Sequence, residues 1–305
     1  MSNEFKNYIE KHRVDILNLT AKQDKELARL YLEAAGNIKE RAELIINKKG
    51  LTYAQAKIRI NSLLREAARL SDNFKGILDK ALIDAADLGK EVNKIAMSMY
   101  QKSLASEGYK LGLTRILSKT SKEAVKYTFN KIWSDGLKLS DRVWLLDKRT
   151  KQEIERIVMS NIISGGSASD RMTLSALENL LNPKYTPARL TSLHGRKVSY
   201  EASRLLRTEM MISFNEADRL SSNLNPGSKG QVWLAASGCC DICDSNDGKP
   251  TNEVGIPPAH PNCRCTTTED IISIDKFTND WIKFQRSPNS VPYLNKWYKE
   301  IYKVA

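Results

Sequence analysis

The 305-residue chain has no apolar run near the 18 or so residues that a membrane-spanning helix needs. Its start, MSNEFKNYIEKHR, is polar and charged, which argues against a secretory signal. It lacks H-E-x-x-H, G-x-S-x-G and any Gly-rich phosphate loop, so the common motifs of zinc proteases, α/β-hydrolases and nucleotide-binding enzymes are missing. No run of five or six like charges marks a nucleic-acid arm, and no sustained heptad marks a coiled coil. Cysteine is absent from all but one window of 27 residues. A disulfide scaffold spreads its cysteines through a small secreted domain, so this clustering points to one local site in a reducing compartment.

What is present is charge. Lys plus Arg number 48 against 36 Asp plus Glu, a net of +12, at 41% hydrophobic and 28% charged residues. Such a chain can bury a core and is far from the composition of a disordered one. The excess is uneven: residues 1–160 hold +10 of it. A polyanionic neighbour would suit that half, though the bases are interspersed with acids. The densest group is Lys148, Arg149 and Lys151. Lysine-rich exposed helix faces account for the same numbers.

Up to about residue 160 the apolar spacing is helical. Leu27, Leu30, Tyr31, Ala34, Ile38 and Ala42 form one stripe, and Phe74, Leu78, Ala81, Leu82, Ala85, Leu88 and Val92 another. Gly50 ends the first pattern, and Thr52 with Gln55 reads as a capping box. Ser140-Asp141 opens a helix whose apolar members include Trp144, Leu145, Ile154, Ile157, Val158 and Ile162. The Ser164–Ser167 stretch, with its two glycines, breaks it. A short helix runs through Leu181, and a longer one through Met210 and Phe214 ends at Asn225-Pro226-Gly227. Residues 231–235 and 266–272 read as strands, and the aromatic-rich tail as two amphipathic helices. The expectation is a mainly α fold: a long helical region over residues 1–133, as a bundle or an extended arm, then a small α+β unit over 134–272, then helices over 273–305.

The segment that carries chemistry is Cys239 to Cys265. Cys240 and Cys243 form C-x2-C, and His260 and Cys263 form H-x2-C. Zinc takes four thiolate or imidazole donors in a tetrahedron, often as two closely spaced pairs joined by a loop. Cys240, Cys243, His260 and Cys263 fit that pattern, with Cys265 as the alternative fourth ligand and Cys239 outside it. A metal-free knuckle and a cross-loop disulfide are the other readings. A cysteine nucleophile with His260 as base, or a zinc-bound water with Glu209 or Glu253 as base, would make the chain a hydrolase or nuclease. Four good ligands would instead close the shell and mark a structural metal. His12 is expected on the solvated face of the first helix. His194 falls in a loop with no ligand-spaced neighbour.

Trp233, C-x2-C, Asp247-Gly248-Lys249 and the string P-P-x-H-P-N-C-R-C over residues 257–265 resemble the Mu F-like minor head proteins of tailed bacteriophages, also called head morphogenesis proteins. Arg207-Thr208-Glu209 is similar to that family's R-T-E segment, and the Trp144 helix followed by Gly166-Ser167 is also similar. The likeness covers roughly residues 135–270. It implies a non-enzymatic virion component, present in few copies in the head interior or at the portal vertex, and in the host cytoplasm during assembly. The implied partners are the portal protein, coat or scaffolding protein, and double-stranded DNA bound without sequence preference. On this reading Arg207 and Glu209 form a polar pair near the knuckle, and Trp233 is its apolar floor. A hydrolase or nuclease, and a free-standing DNA-binding protein, are the competing functions.

Overall fold

The computed structural model describes residues 3–48, 51–164, 167–183 and 197–304. The fold is mainly α with a small two-stranded sheet near the C-terminus. The helices are α1 (Asn3–Ile46), α2 (Tyr53–Gly89), α3 (Glu91–Ser106), α4 (Thr120–Asn130), α5 (Leu139–Ser164), α6 (Ser167–Leu181) and α7 (Val198–Leu224). Strand β1 (Ser228–Leu234), short helices α8 (Asp241–Asn246) and α9 (Thr251–Val254), and strand β2 (Thr266–Ile271) follow. Helices α10 (Ile274–Arg286) and α11 (Pro292–Trp297) close the chain. No helix among the described residues is long and apolar enough to cross a membrane.

Two compact units emerge, and they cut across the sequence boundaries at 133 and 272. One comprises residues 1–20, 81–130 and 208–305; the other comprises 21–80 and 131–207. Linear boundaries follow composition and motif, whereas packing follows faces, and α1, α2 and α7 each give a segment to both units.

The second unit is built from helical stripes. Leu27, Tyr31, Ile38 and Ala42 of α1 are buried, as are Ile60, Leu63, Leu70 and Phe74 of α2. Thr52 and Gln55 do form the reciprocal cap of α2, each backbone N–H bonding the other's side chain at 3.1 and 3.3 Å. On α5 the buried stripe is Val143, Leu146, Thr150, Ile154 and Val158. Trp144 and Leu145 are therefore not core residues: they are 56% and 42% exposed, one step off that stripe. Lys148 lies over the Trp144 ring at 4.9 Å. Asp141 caps α5 from its third position, accepting the Lys138 N–H at 2.9 Å, so the helix starts at Leu139. Ion pairs Arg41–Glu66 and Arg149–Glu201, at 2.8 and 2.7 Å, join its helices.

The first unit holds an aromatic core. Tyr100 of α3 stacks on Phe277 at 4.2 Å, and Trp281, Phe284 and Trp297 extend the cluster. The Tyr100 hydroxyl donates to the Ile272 carbonyl and the Trp297 indole to that of Leu224. Gly89, at the end of α2, has no room for a side chain: a Cβ there would sit 2.1 Å from the Phe214 carbonyl oxygen. Because that neighbour is backbone, Gly89→Ala is expected to cost about 2–3 kcal/mol, read as a lower urea midpoint with an unchanged slope.

His12 is buried, not solvated. Its ring lies 5.2 Å from that of Phe214, and burial pushes its pKa down to about 4. It follows Ile9 and precedes Ile16 on one buried helical face.

Candidate metal centre

The knuckle hangs on β1. The antiparallel partner β2 pairs Trp233 with Thr267 and Gln231 with Glu269. The segment at Gly248–Pro250 also bonds β1: Trp233 N–H donates to the Lys249 carbonyl at 2.8 Å, and Gly248 N–H to the Trp233 carbonyl at 3.0 Å. Asp247 accepts the Ala235 N–H at 2.7 Å. The 238–265 loop is thus tied back onto the strand that precedes it, which brings its two ends together.

Each ligand pair is shaped by a turn. Cys240 is the N-cap of α8 and Cys243 lies in its first turn. Residues three apart share a helix face, so both sulfurs point one way. Cys263 N–H bonds the His260 carbonyl at 3.2 Å, which closes the H-x2-C turn. The His260 Nε2 lies 3.2 Å from Cys240 Sγ and 3.4 Å from Cys243 Sγ, and Cys243 Sγ lies 3.6 Å from Cys263 Sγ. Around one zinc ion, tetrahedral thiolate sulfurs lie about 3.8 Å apart and a thiolate and imidazole nitrogen about 3.5 Å apart. The observed spacings fit that shell.

The donors fall into two triads that share Cys243. Cys240, Cys243 and His260 form one, and Cys243, Cys263 and Cys265 the other, with the ligand atoms of each triad within 4.8 Å of one another. Cys239 belongs to neither and is half-buried. His260 Nδ1 lies 2.9 Å from the Pro261 carbonyl. A proton on Nδ1 donated there leaves the Nε2 lone pair free for a metal, the usual outer-shell arrangement for a ligating histidine. Ala236 N–H reaches Cys265 Sγ at 3.4 Å. Backbone N–H groups of Cys243 and Ile242 favour the Cys240 thiolate and lower its pKa. Burial pushes the Cys243 and Cys265 thiols up, so either would lose its proton far more readily to a bound cation.

Trp233 packs with Cys243, Cys263 and Cys265 in a single buried cluster. The structure gives Arg207 a partner other than Glu209. Arg207 is bound to Asp24 at 2.5 Å, with Ser203 on the same carboxylate, while Glu209 is buried in the other unit. Residues two apart on a helix do not face each other. The R-T-E segment meets the knuckle through Thr208 instead, whose hydroxyl accepts the Asn262 N–H at 3.0 Å. Asn215, two turns on, donates to the Cys265 carbonyl at 3.3 Å. Neither contact has a local sequence signal, because the partners lie 54 and 50 residues apart in the chain. His194, Gly50, the Gly165-Gly166 break and Pro187 lie outside the described residues.

A second buried polar site was not foreseen. Asp218 of α7 and Glu269 of β2 are 2% and 1% exposed, and Asn93 of α3 donates to both, at 3.2 and 3.1 Å. Gln231 and Thr267 complete Asp218, and Ser222 and Ser228 complete Glu269. None of these donors is a cation. Burial raises both carboxyl pKa values, Glu269 to about 7, and the neighbouring Glu269 charge adds to the rise at Asp218.

Fold and site together define a mainly helical protein with a small two-stranded sheet near the C-terminus and a Cys/His cluster able to hold a metal ion. No family model, curated protein or solved structure matches the chain.

Proposed function

We propose that the protein is a minor head protein of a tailed bacteriophage, acting in head assembly at the portal vertex. One observation carries this reading: P-P-x-H-P-N-C-R-C and C-x2-C, the strings on which the resemblance rests, come together as one knuckle packed on Trp233. Thr208 of the R-T-E segment is bonded to it, so three separated pieces of the motif meet at one place. On this reading the cluster holds one structural zinc and no catalytic group. Cys240, Cys243, His260 and either Cys263 or Cys265 supply four protein donors, which leaves no open position for a substrate water. The protein resides in the virion after assembly in the host cytoplasm, with coat or scaffolding protein as further neighbours.

The excess positive charge supports non-specific contact with packaged DNA. Such binding depends on phosphate neutralisation, so affinity for random-sequence duplex is expected to fall at least tenfold between 50 and 200 mM salt. Fluorescence anisotropy over that range checks it. Absence of binding at 50 mM would remove the DNA component and leave the portal role intact.

A further inference from the structure

The cluster has five donors, one more than a tetrahedral ion can use. Among the described residues they divide into two sets of three with Cys243 common to both. The sets differ in setting. Cys240 is exposed, whereas Cys243, Cys263 and Cys265 are 1%, 3% and 1% exposed beneath Trp233. Water has little access to the buried set, so an ion seated there has three sulfurs and no ready fourth ligand. Zinc would be one donor short. A soft monovalent ion is satisfied by three thiolates, and thiolate sulfur can bridge two such ions.

We propose that the knuckle is also a two-ion site for a thiophilic monovalent cation of the Cu(I) class, with Cys243 Sγ as the bridge. One ion takes Cys240, Cys243 and His260; the other takes Cys243, Cys263 and Cys265. Binding displaces the thiol protons to solvent and changes no oxidation state. Two such ions leave the four thiolates with a residual charge of about −2, met in part by backbone N–H groups at Cys240 and Cys265. Three-coordinate sulfurs lie about 4.0 Å apart for metal–sulfur distances near those of zinc. That is compatible with both triads and with the 3.6 Å between Cys243 and Cys263.

The proposal rests on the knuckle being a metal site, and the test separates the two claims. The full-length protein is reduced, stripped of metal and titrated anaerobically with Cu(I), then desalted for metal analysis; a parallel sample receives Zn(II). The expected result is about two copper ions or about one zinc per chain, and about one copper in Cys265→Ser. One copper in both proteins, with zinc still bound, overturns the two-ion site and keeps the structural metal. Neither metal bound overturns both. Should Cys265→Ser fail to fold, X-ray absorption on the copper-loaded wild type decides. Three-coordinate copper with copper–copper scattering supports the bridge, and its absence refutes it.

Discussion

If the cluster holds the zinc proposed above, Cys243→Ser is expected to strip it and to lower the melting temperature by about 6–12 °C. Cys243 sits within 3.4–3.6 Å of both His260 and Cys263, and both donor triads among the described residues depend on it. Structural zinc contributes on the order of 10 kcal/mol to small metal-folded domains. Here β1, β2 and Trp233 share the burden, and a loss of about 3 kcal/mol for a unit of this size gives the stated shift. Cys239→Ser, outside both triads, is expected to leave the metal and the melting temperature unchanged. Metal analysis and differential scanning calorimetry of the two variants make the comparison. Retention of a full equivalent of zinc by Cys243→Ser would refute the assignment of the donors.

The second large effect concerns pH. Glu269 holds its proton in the folded protein up to about pH 7, against about 4.5 when exposed. Over that interval the folded state binds more protons than the unfolded one, so this group's stabilisation is present at low pH and is lost as pH rises. The loss is about 3 kcal/mol across the window. His12 works in the opposite sense: its pKa is lowered to about 4, so its share of stability grows as pH rises toward 6.5. A wild-type profile mixes these two with Asp218, whose pKa burial also raises. The informative quantity is the difference between wild type and Glu269→Gln, which removes the Glu269 titration, lifts its charge from Asp218 and leaves His12 in place. Urea denaturation at pH 5, 6.5 and 8 is expected to show the variant gaining on the wild type by about 3 kcal/mol from the first to the last. A constant difference would mean that Glu269 is charged throughout. Asn93→Ala, which removes the donor common to both carboxyl groups, is expected to cost about 2–4 kcal/mol at any of these pH values.

The two sites were unequally legible. Cys240, Cys243, His260 and Cys263 could be grouped because metal ligands come in short-spaced pairs, and that spacing survives without knowledge of the fold. The place of Cys265 could not be decided, because its approach to Cys243 depends on the 238–265 loop being sewn to β1. The Asp218–Glu269 network was invisible for a different reason. Asp218, Ser221, Ser222 and Asn225 are polar residues at helical spacing, with no apolar stripe to mark them as core, yet all four are buried. Their partners, Asn93 and Glu269, are 125 and 47 residues away from the serines and aspartate they bind. Nothing local announces such pairing. His12 stands on the Ile9–Ile16 stripe, so its spacing marks it for burial although its sequence neighbours are charged. Helix existence was read well because apolar periodicity is a local property. The division into two compact units was not, because it is made by faces of helices far apart in the chain.

The central claim is that this chain is built into phage heads beside the portal. Quantitative mass spectrometry of purified procapsids, produced with the chain and with its gene deleted, tests it most directly. The account predicts a few copies per particle that cross-link to portal protein, and misassembled or DNA-poor heads in the deletion. Procapsids that form normally, package DNA and contain none of this chain would contradict it.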